Sequence, residues 1–252
     1  MTTDRTDIHD PAAVELDKLL PKPNLGSNFE KAAYPTLLFS TKSRVWGDKH
    51  PDAVEPTEPE FERQDLRRKV LVADGHRCMF CGFYSSQNQV HNLSDNHRDV
   101  RSENLRTADH LCHGWNHLGE LGEGNAVIAY LPGLSAQDAN HLQRTIIVAL
   151  RSDDPAVREG AKKLLNWMAS HRDYTKDAWG TSDPAVFAEA IVRVEERERE
   201  REKREVVFED LAVVFNPGPY TQVAATWARE SYGTLPVSKW GQVYHDVMNP
   251  PA

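Results

Sequence analysis

Cysteine is scarce: the 252 residues hold three, an odd number, and two of them share a C-x-x-C. That excludes a fully paired disulfide framework of the secreted kind and favours a reducing compartment with a metal site. Long apolar runs are missing as well. The longest, such as Ala126 to Leu131 and Ile146 to Leu150, fall far short of a bilayer span. The opening MTTDRTDIHDPAAVELDKLL has early acids and no apolar block, so no secretory signal is expected. A basic excess is also lacking, since 30 Lys and Arg stand against 38 Asp and Glu, a formal charge of −8. This weighs against a general nucleic-acid binder, whose affinity comes largely from phosphate neutralisation. Arg63, Arg67, Arg68, Lys69 and Arg77 offer a local basic strip, but a solvated helix face is the ordinary reading of such a run. Apolar residues make up 39%. The composition fits a soluble globular protein with one sizeable core, or a small module with extensions.

Three stretches differ in character. Residues 1–60 are rich in Pro, Asp and Glu and show no sustained apolar period, which predicts an extended N-terminal arm. Within it, TLLFSTKSRVW is an ordered-patch candidate able to dock on a body or a partner. Residues 61–205 read as the core. Phe61, Leu66, Val70 and Leu71 lie near one face of a helix that Gly75 ends. QNQVHNL reads as a short strand, SDNHRDVRSEN as a polar loop, Asn104 to Gly114 as the approach to a helix, and AVIAYL as a strand closed by Pro132-Gly133. Three helix starts follow, at Ser135 with Asp138 in a capping box, at Asp154-Pro155, and at Asp183-Pro184. The charged run RVEEREREREKRE is read as a solvated helix extension. Residues 206–252 form a C-terminal extension. In it VVFEDLAVVF is a strand or a buried helix, and Tyr220, Trp227, Tyr232, Trp240 and Tyr244 pack on the body or offer a partner surface.

Cys78 and Cys81 have the C-x2-C spacing of a zinc knuckle, and Gly82 follows where a tight turn favours a permissive backbone. Cys112 stands about thirty residues on, at a helix entrance. The fourth ligand is open. Asp109 fits the spacing, although it also suits a helix cap; His110 is the better zinc donor chemically. His113 lies about 100° round the helix from Cys112 and should not share its ion, and His117 is expected at the surface.

The order strand, loop, helix around these residues resembles the ββα unit of HNH nucleases. There a histidine base at the strand, a loop Asn and a helix His or Asp act around one divalent ion. Here His91-Asn92-Leu93, Asn104-Leu105 and Cys112-His113 fall in the corresponding places. Asn92 occupies the base position, and an amide cannot take a proton from water at useful pH. His91 and His97 are expected to be ordinary polar surface.

Four blocks carry a more specific resemblance: KVLVADGHRCMFCGF, VHNLSDNHRDVRSENLRTA, AVIAYLPGLSAQDANHL and GTSDPAVFAEAI. In order and spacing, from about Leu66 to about Ile191, they resemble the IcmJ/DotN family of type IVB (Dot/Icm-type) secretion systems. The resemblance implies an α+β fold with an HNH-like ββα (treble-clef-type) zinc core, added helices and extended N- and C-terminal segments. It implies Zn2+ as a structural ion at Cys78, Cys81 and Cys112; Asp109 and His110 stand where the family is cysteine-rich, and spacing favours Asp109 as the fourth ligand narrowly over His110. It also implies a non-catalytic adaptor in a coupling complex, bound to the cytoplasmic extension of the coupling ATPase and to other coupling-complex subunits. Such a protein is cytoplasmic and reaches the bacterial inner membrane only through its partners. Two other readings compete: a working HNH-type endonuclease acting on DNA, and a zinc-containing DNA-binding module without cleavage.

Overall fold

The structure is a computed structural model that describes residues 34–41, 60–94, 99, 101–193, 204, 206–233, 237–242, 245 and 249. Most of the expected N-terminal arm, His97 and the charged run from Val194 lie outside the described residues. The described residues between 34 and 238 form one compact unit, and those from 239 on belong to another. The site lies wholly within the first.

Among the described residues the protein is α+β, with two small antiparallel sheets among helices. Helix α1 (Glu60–Ala73) buries Val70 and Leu71 against the first hairpin, and the chain leaves it through Gly75 at φ +58°. A knuckle turn follows. Strands β1 (Gln89–Asn92) and β2 (Leu105–Ala108) then pair in the register Gln89↔Ala108 to Asn92↔Leu105. Gln89 and His91 therefore share one face of the ribbon. Helix α2 (His110–Asn116) completes the ββα order, and the Met79 amide bonds to the Thr107 carbonyl (2.8 Å), fastening the knuckle to β2.

After an interrupted helix α3 (Leu118–Asn125), strand β3 (Ala126–Tyr130) pairs with β4 (Leu211–Phe215). The apolar VVFEDLAVVF thus supplies a strand. Every residue of β4 is buried, and a continuous apolar run of this length suits a strand covered on both faces. The three expected helix starts are present. Ser135 caps α4 (Ala136–Ala149), accepting the Asp138 amide and donating its hydroxyl to Asp138 Oδ2 (2.6 Å). Asp154 caps α5 (Pro155–Ser170), and Asp183 accepts the Ala185 amide at the start of α7 (Pro184–Arg193). Helix α6 (Arg172–Trp179) has no sequence signal of its own: only Thr175 is buried along it. Helix α8 (Thr221–Glu230) buries Ala224 and Trp227.

Helix α4 differs most from its amphipathic pattern. It packs against α2, α5, α8 and β4, so Asn140, Gln143 and Arg144 are buried with its apolar residues. Each polar group has a task. Gln143 lies along β4, donating to the Val213 carbonyl (2.8 Å) and accepting the Phe215 amide (2.7 Å). One side chain thereby serves as a short substitute strand on that edge.

Residues 34–41 dock on the unit. Leu37 and Phe39 are buried, Phe39 meets the rings of Trp115, Phe187 and Phe208, and the Ser40 amide bonds to the Trp115 carbonyl (3.0 Å). At the other end of the unit, α8 is tied to the knuckle. Glu230 accepts the Ser86 amide (2.8 Å) and hydroxyl (2.6 Å). Burial works to raise the Glu230 carboxyl, but Ser86 outweighs it and holds the group below its ordinary range. The contact therefore stabilises fully above the unfolded glutamate value of about 4.3 and loses its effect as pH falls through the lower folded value. Glu230→Ala should cost about 1.5–3 kcal/mol at neutral pH. Denaturant melts should show the gap to wild type narrowing under acid conditions.

Candidate metal centre

The knuckle turn is shaped by its backbone. The Cys78 amide bonds to the Phe83 carbonyl (2.9 Å) and the Gly82 amide to the Cys78 carbonyl (2.8 Å). Gly82 sits at φ +70°, a left-handed conformation that favours glycine, and the exposed Tyr34 side chain lies over its open face. The turn points Cys78 and Cys81 toward the start of α2, where Asp109 and Cys112 wait. One donor atom from each of these four buried residues lies within 4.8 Å of the others. A tetrahedral zinc with bonds of about 2.3 Å to sulfur spaces its donors by about 3.8 Å, close to this arrangement. The four sequence-predicted ligands are thus brought together. His110 is not among them: its Nε2 donates to the Gln87 carbonyl (2.9 Å), and burial pushes its imidazole below the ordinary range.

Asp109 does both jobs the sequence allowed. Its Oδ1 caps α2, accepting the Leu111 amide (2.9 Å) and the longer Cys112 contact (3.4 Å), and also takes Arg144 Nη1 (2.8 Å). Its Oδ2 faces the cluster, 3.1 Å from Cys81 Sγ. One oxygen is occupied by the helix and the guanidinium; the other is left for an ion.

The surroundings test whether the cluster suits thiolates. Each sulfur has a nitrogen donor: the Phe80 amide to Cys78 (3.4 Å), Arg144 Nη2 to Cys81 (3.5 Å) and Asn140 Nδ2 to Cys112 (3.3 Å). Donors aimed at sulfur favour the anionic form that binds metal. Burial pushes the Cys78 and Cys112 thiols up, while hydrogen bonds from those two thiols pull Cys81 down, with Arg144 adding to the effect. Arg144 itself is 0% exposed and stacks over Phe83 at 4.3 Å. Burial works against its charge, and Asp109 and Cys81 more than offset that. His141 braces it. Its Nε2 donates to the Cys81 carbonyl (3.2 Å), leaving Nδ1 to accept Arg144 Nη2 (2.9 Å). The cluster therefore fits a zinc-type ion, and the residues that can hold it are Cys78, Cys81, Asp109 and Cys112.

A second gathering was not expected. His91 and His117 are 2% and 6% exposed, so both leave the surface assigned to them, and with His113 they bring three imidazole donor atoms within 4.8 Å. The signal was in the sequence: His113 and His117 are four apart and share a helix face. It was hidden because nothing near His117 in sequence covers it where α2 ends. Residues 34–41 close that end, with Thr41 bridging His117. Asn92 lies at the end of β1, its Oδ1 accepting the Ser94 hydroxyl (3.3 Å).

No protein-family model matches the chain. Compared with known proteins, the chain is 25% identical over 171 residues to the type 4 apparatus protein DotN of Legionella pneumophila. The match spans 66% of this chain and 78% of that protein. The IcmJ/DotN resemblance therefore stands. Among the described residues of this DotN-like chain, no helix is long and apolar enough to cross a membrane.

Arg144, Asn140 and His141 are not singled out by the sequence, and QRTIIVAL gives Arg144 no special signal. Arg144→Met leaves Asp109 buried without its cation, and breaking such a pair costs about 3–5 kcal/mol. Urea unfolding should register that loss.

Proposed function

We propose that this chain is a non-catalytic, zinc-stabilised adaptor subunit of a type IVB secretion or conjugation coupling complex, built on an HNH-like core. It binds the cytoplasmic tail of the coupling ATPase and works in the cytoplasm, reaching the inner membrane through its partners. The observation that carries the reading is the likeness to a type 4 apparatus protein over most of both chains. The buried cluster of Cys78, Cys81, Asp109 and Cys112, with a donor on every sulfur, supports a structural ion. When bound, zinc would supply folding free energy to a ββα unit that buries little surface alone. Asn92 supports a role in assembly, because the amide offers no general base.

The chain's own residues then make a rigid platform. The knuckle is fixed to β2 through Met79 and Thr107, to α4 through His141 and Arg144, and to α8 through Glu230. A partner segment gains affinity on such a surface because little ordering is required of it. A second reading, an HNH-type endonuclease, draws on the three histidines gathered near Asn92.

Two measurements test the proposal. Pure protein should carry zinc and co-elute with the ATPase tail on a sizing column; a pair that stays apart removes the adaptor reading. Cys81→Ser should lower melting temperature and tail binding together. Nicking of plasmid DNA with Mg2+ or Mn2+, lost in His113→Ala, would favour the endonuclease instead.

A further inference from the structure

The docked segment 34–41 is extended: Leu37 and Phe39 are buried, while Thr36, Leu38 and Ser40 between and around them are more exposed. In such a segment, main-chain groups two residues apart point to the same edge. One edge is closed at Ser40, whose amide bonds to the Trp115 carbonyl (3.0 Å) and whose carbonyl accepts the Leu118 amide (3.4 Å). The other edge is held only at its ends. Gln137 Nε2 donates to the Pro35 carbonyl (2.9 Å), and Arg204 Nη1 donates to the Phe39 carbonyl (3.0 Å). Between these two ties, the Leu37 amide, the Leu37 carbonyl and the Phe39 amide have no hydrogen-bond partner among the described residues. Leu37 is 3% exposed and Phe39 1%. Main-chain groups so far withdrawn from water are almost always paired.

A cavity of about 300 Å³ borders this gap. Gln137 and Arg204, the side chains that tie the two ends, both line it, together with Leu37 and Phe39. Leu38, Trp115, Leu134, Phe208 and Leu211 give it apolar walls. Glu209 and Asp210 line it as well, and neither has an ion-pair partner among the described residues. Asp210 Oδ1 accepts the Gly133 amide at 3.4 Å, which leaves its charge uncompensated. The groove thus combines a short open strand edge, room for an apolar side chain and two unmatched carboxylates.

We propose that this groove receives an extended segment of a partner protein, which adds to residues 35–39 as an antiparallel strand, seats an apolar side chain in the cavity and brings a Lys or Arg to Glu209 and Asp210. An open edge is a template for such an addition: main-chain bonds supply affinity, and the pocket for an alternate side chain supplies specificity. The antiparallel sense follows from Leu37. Its amide and its carbonyl are both open, which suits a residue directly opposite that exchanges both bonds. A small apolar ligand would fill the volume but leave those groups unpaired, so a peptide main chain is the better match. The basic residue follows from charge complementarity with the two carboxylates. The inference goes beyond the adaptor reading, because it depends neither on the ion nor on which subunit supplies the segment.

Selection of a phage-displayed library of random dodecapeptides on the full-length chain tests the proposal. Enriched peptides should share alternate apolar residues and a Lys or Arg. A synthetic copy of the strongest should slow hydrogen exchange at the Leu37 and Phe39 amides by on the order of tenfold or more. N-methylation of single peptide nitrogens along that copy should abolish binding at the residue opposite Leu37 and spare its two neighbours, whose N–H groups point to the far edge. Glu209→Lys, at an exposed position, should leave the melting temperature unchanged and weaken binding by about fivefold. No enriched peptide, or enriched peptides that bind without slowing exchange at those amides, overturns the groove. Equal sensitivity to N-methylation at every position overturns strand addition, and indifference to Glu209→Lys overturns the charge match. Exchange already slow in the peptide-free protein means that a second copy or another part of this chain fills the groove, and overturns the open edge. Zinc content and co-elution with the ATPase tail are read separately, so the adaptor reading stands or falls on its own.

Discussion

The structure turns on a charge problem. Three sulfurs and a carboxylate converge in the interior, and like charges at such range repel strongly where water is excluded. Arg144 answers part of this and an ion would answer the rest. The geometry around the cluster follows from that need: the tight turn at Gly82, the cap at Asp109, the amides aimed at sulfur. Helix α4 is drawn into the core with polar residues on its buried side because the guanidinium has to arrive from there. The same helix then closes the edge of β4 through Gln143. A requirement at one centre thus decides how two distant sheets are joined.

Asp109 shows why spacing outperformed donor strength. His110 is the better zinc donor in isolation, yet the first residue of a helix points elsewhere, and its ring is engaged by the Gln87 carbonyl. The cap position, by contrast, has its side chain folded over the helix start, where the sulfurs are. Capping and facing an ion are compatible because a carboxylate has two oxygens. The proposed nuclease-like frame and the proposed assembly role are compatible in the same way: a scaffold can keep its histidines and lose the one proton acceptor that hydrolysis needs.

Much of this was legible in the residues. Local chemistry wrote the helix caps at Ser135, Asp154 and Asp183, the strands at Gln89 and Ala126, and the meeting of Cys78, Cys81, Asp109 and Cys112. These depend on contacts within a few residues or on a spacing that metal geometry enforces. What stayed hidden depends on distant neighbours. His91 and His117 read as surface because nothing nearby in sequence covers them, and residues 34–41, which help to bury His117, are far upstream. Arg144 drew no reading at all because its partners Asp109 and Cys81 are tens of residues away in sequence. Helix α6 carries too little apolar pattern to announce itself and exists by packing on β3.

The seat of Phe39 has a consequence for biosynthesis. Its ring partners Trp115, Phe187 and Phe208 span most of the remaining chain, and β3 cannot find β4 before Phe215 has been made. A nascent chain therefore carries Leu37 and Phe39 without their full set of partners until Phe208 has been made. Closure of this unit waits for Phe215, and the interval before it is when a holding chaperone has something to hold.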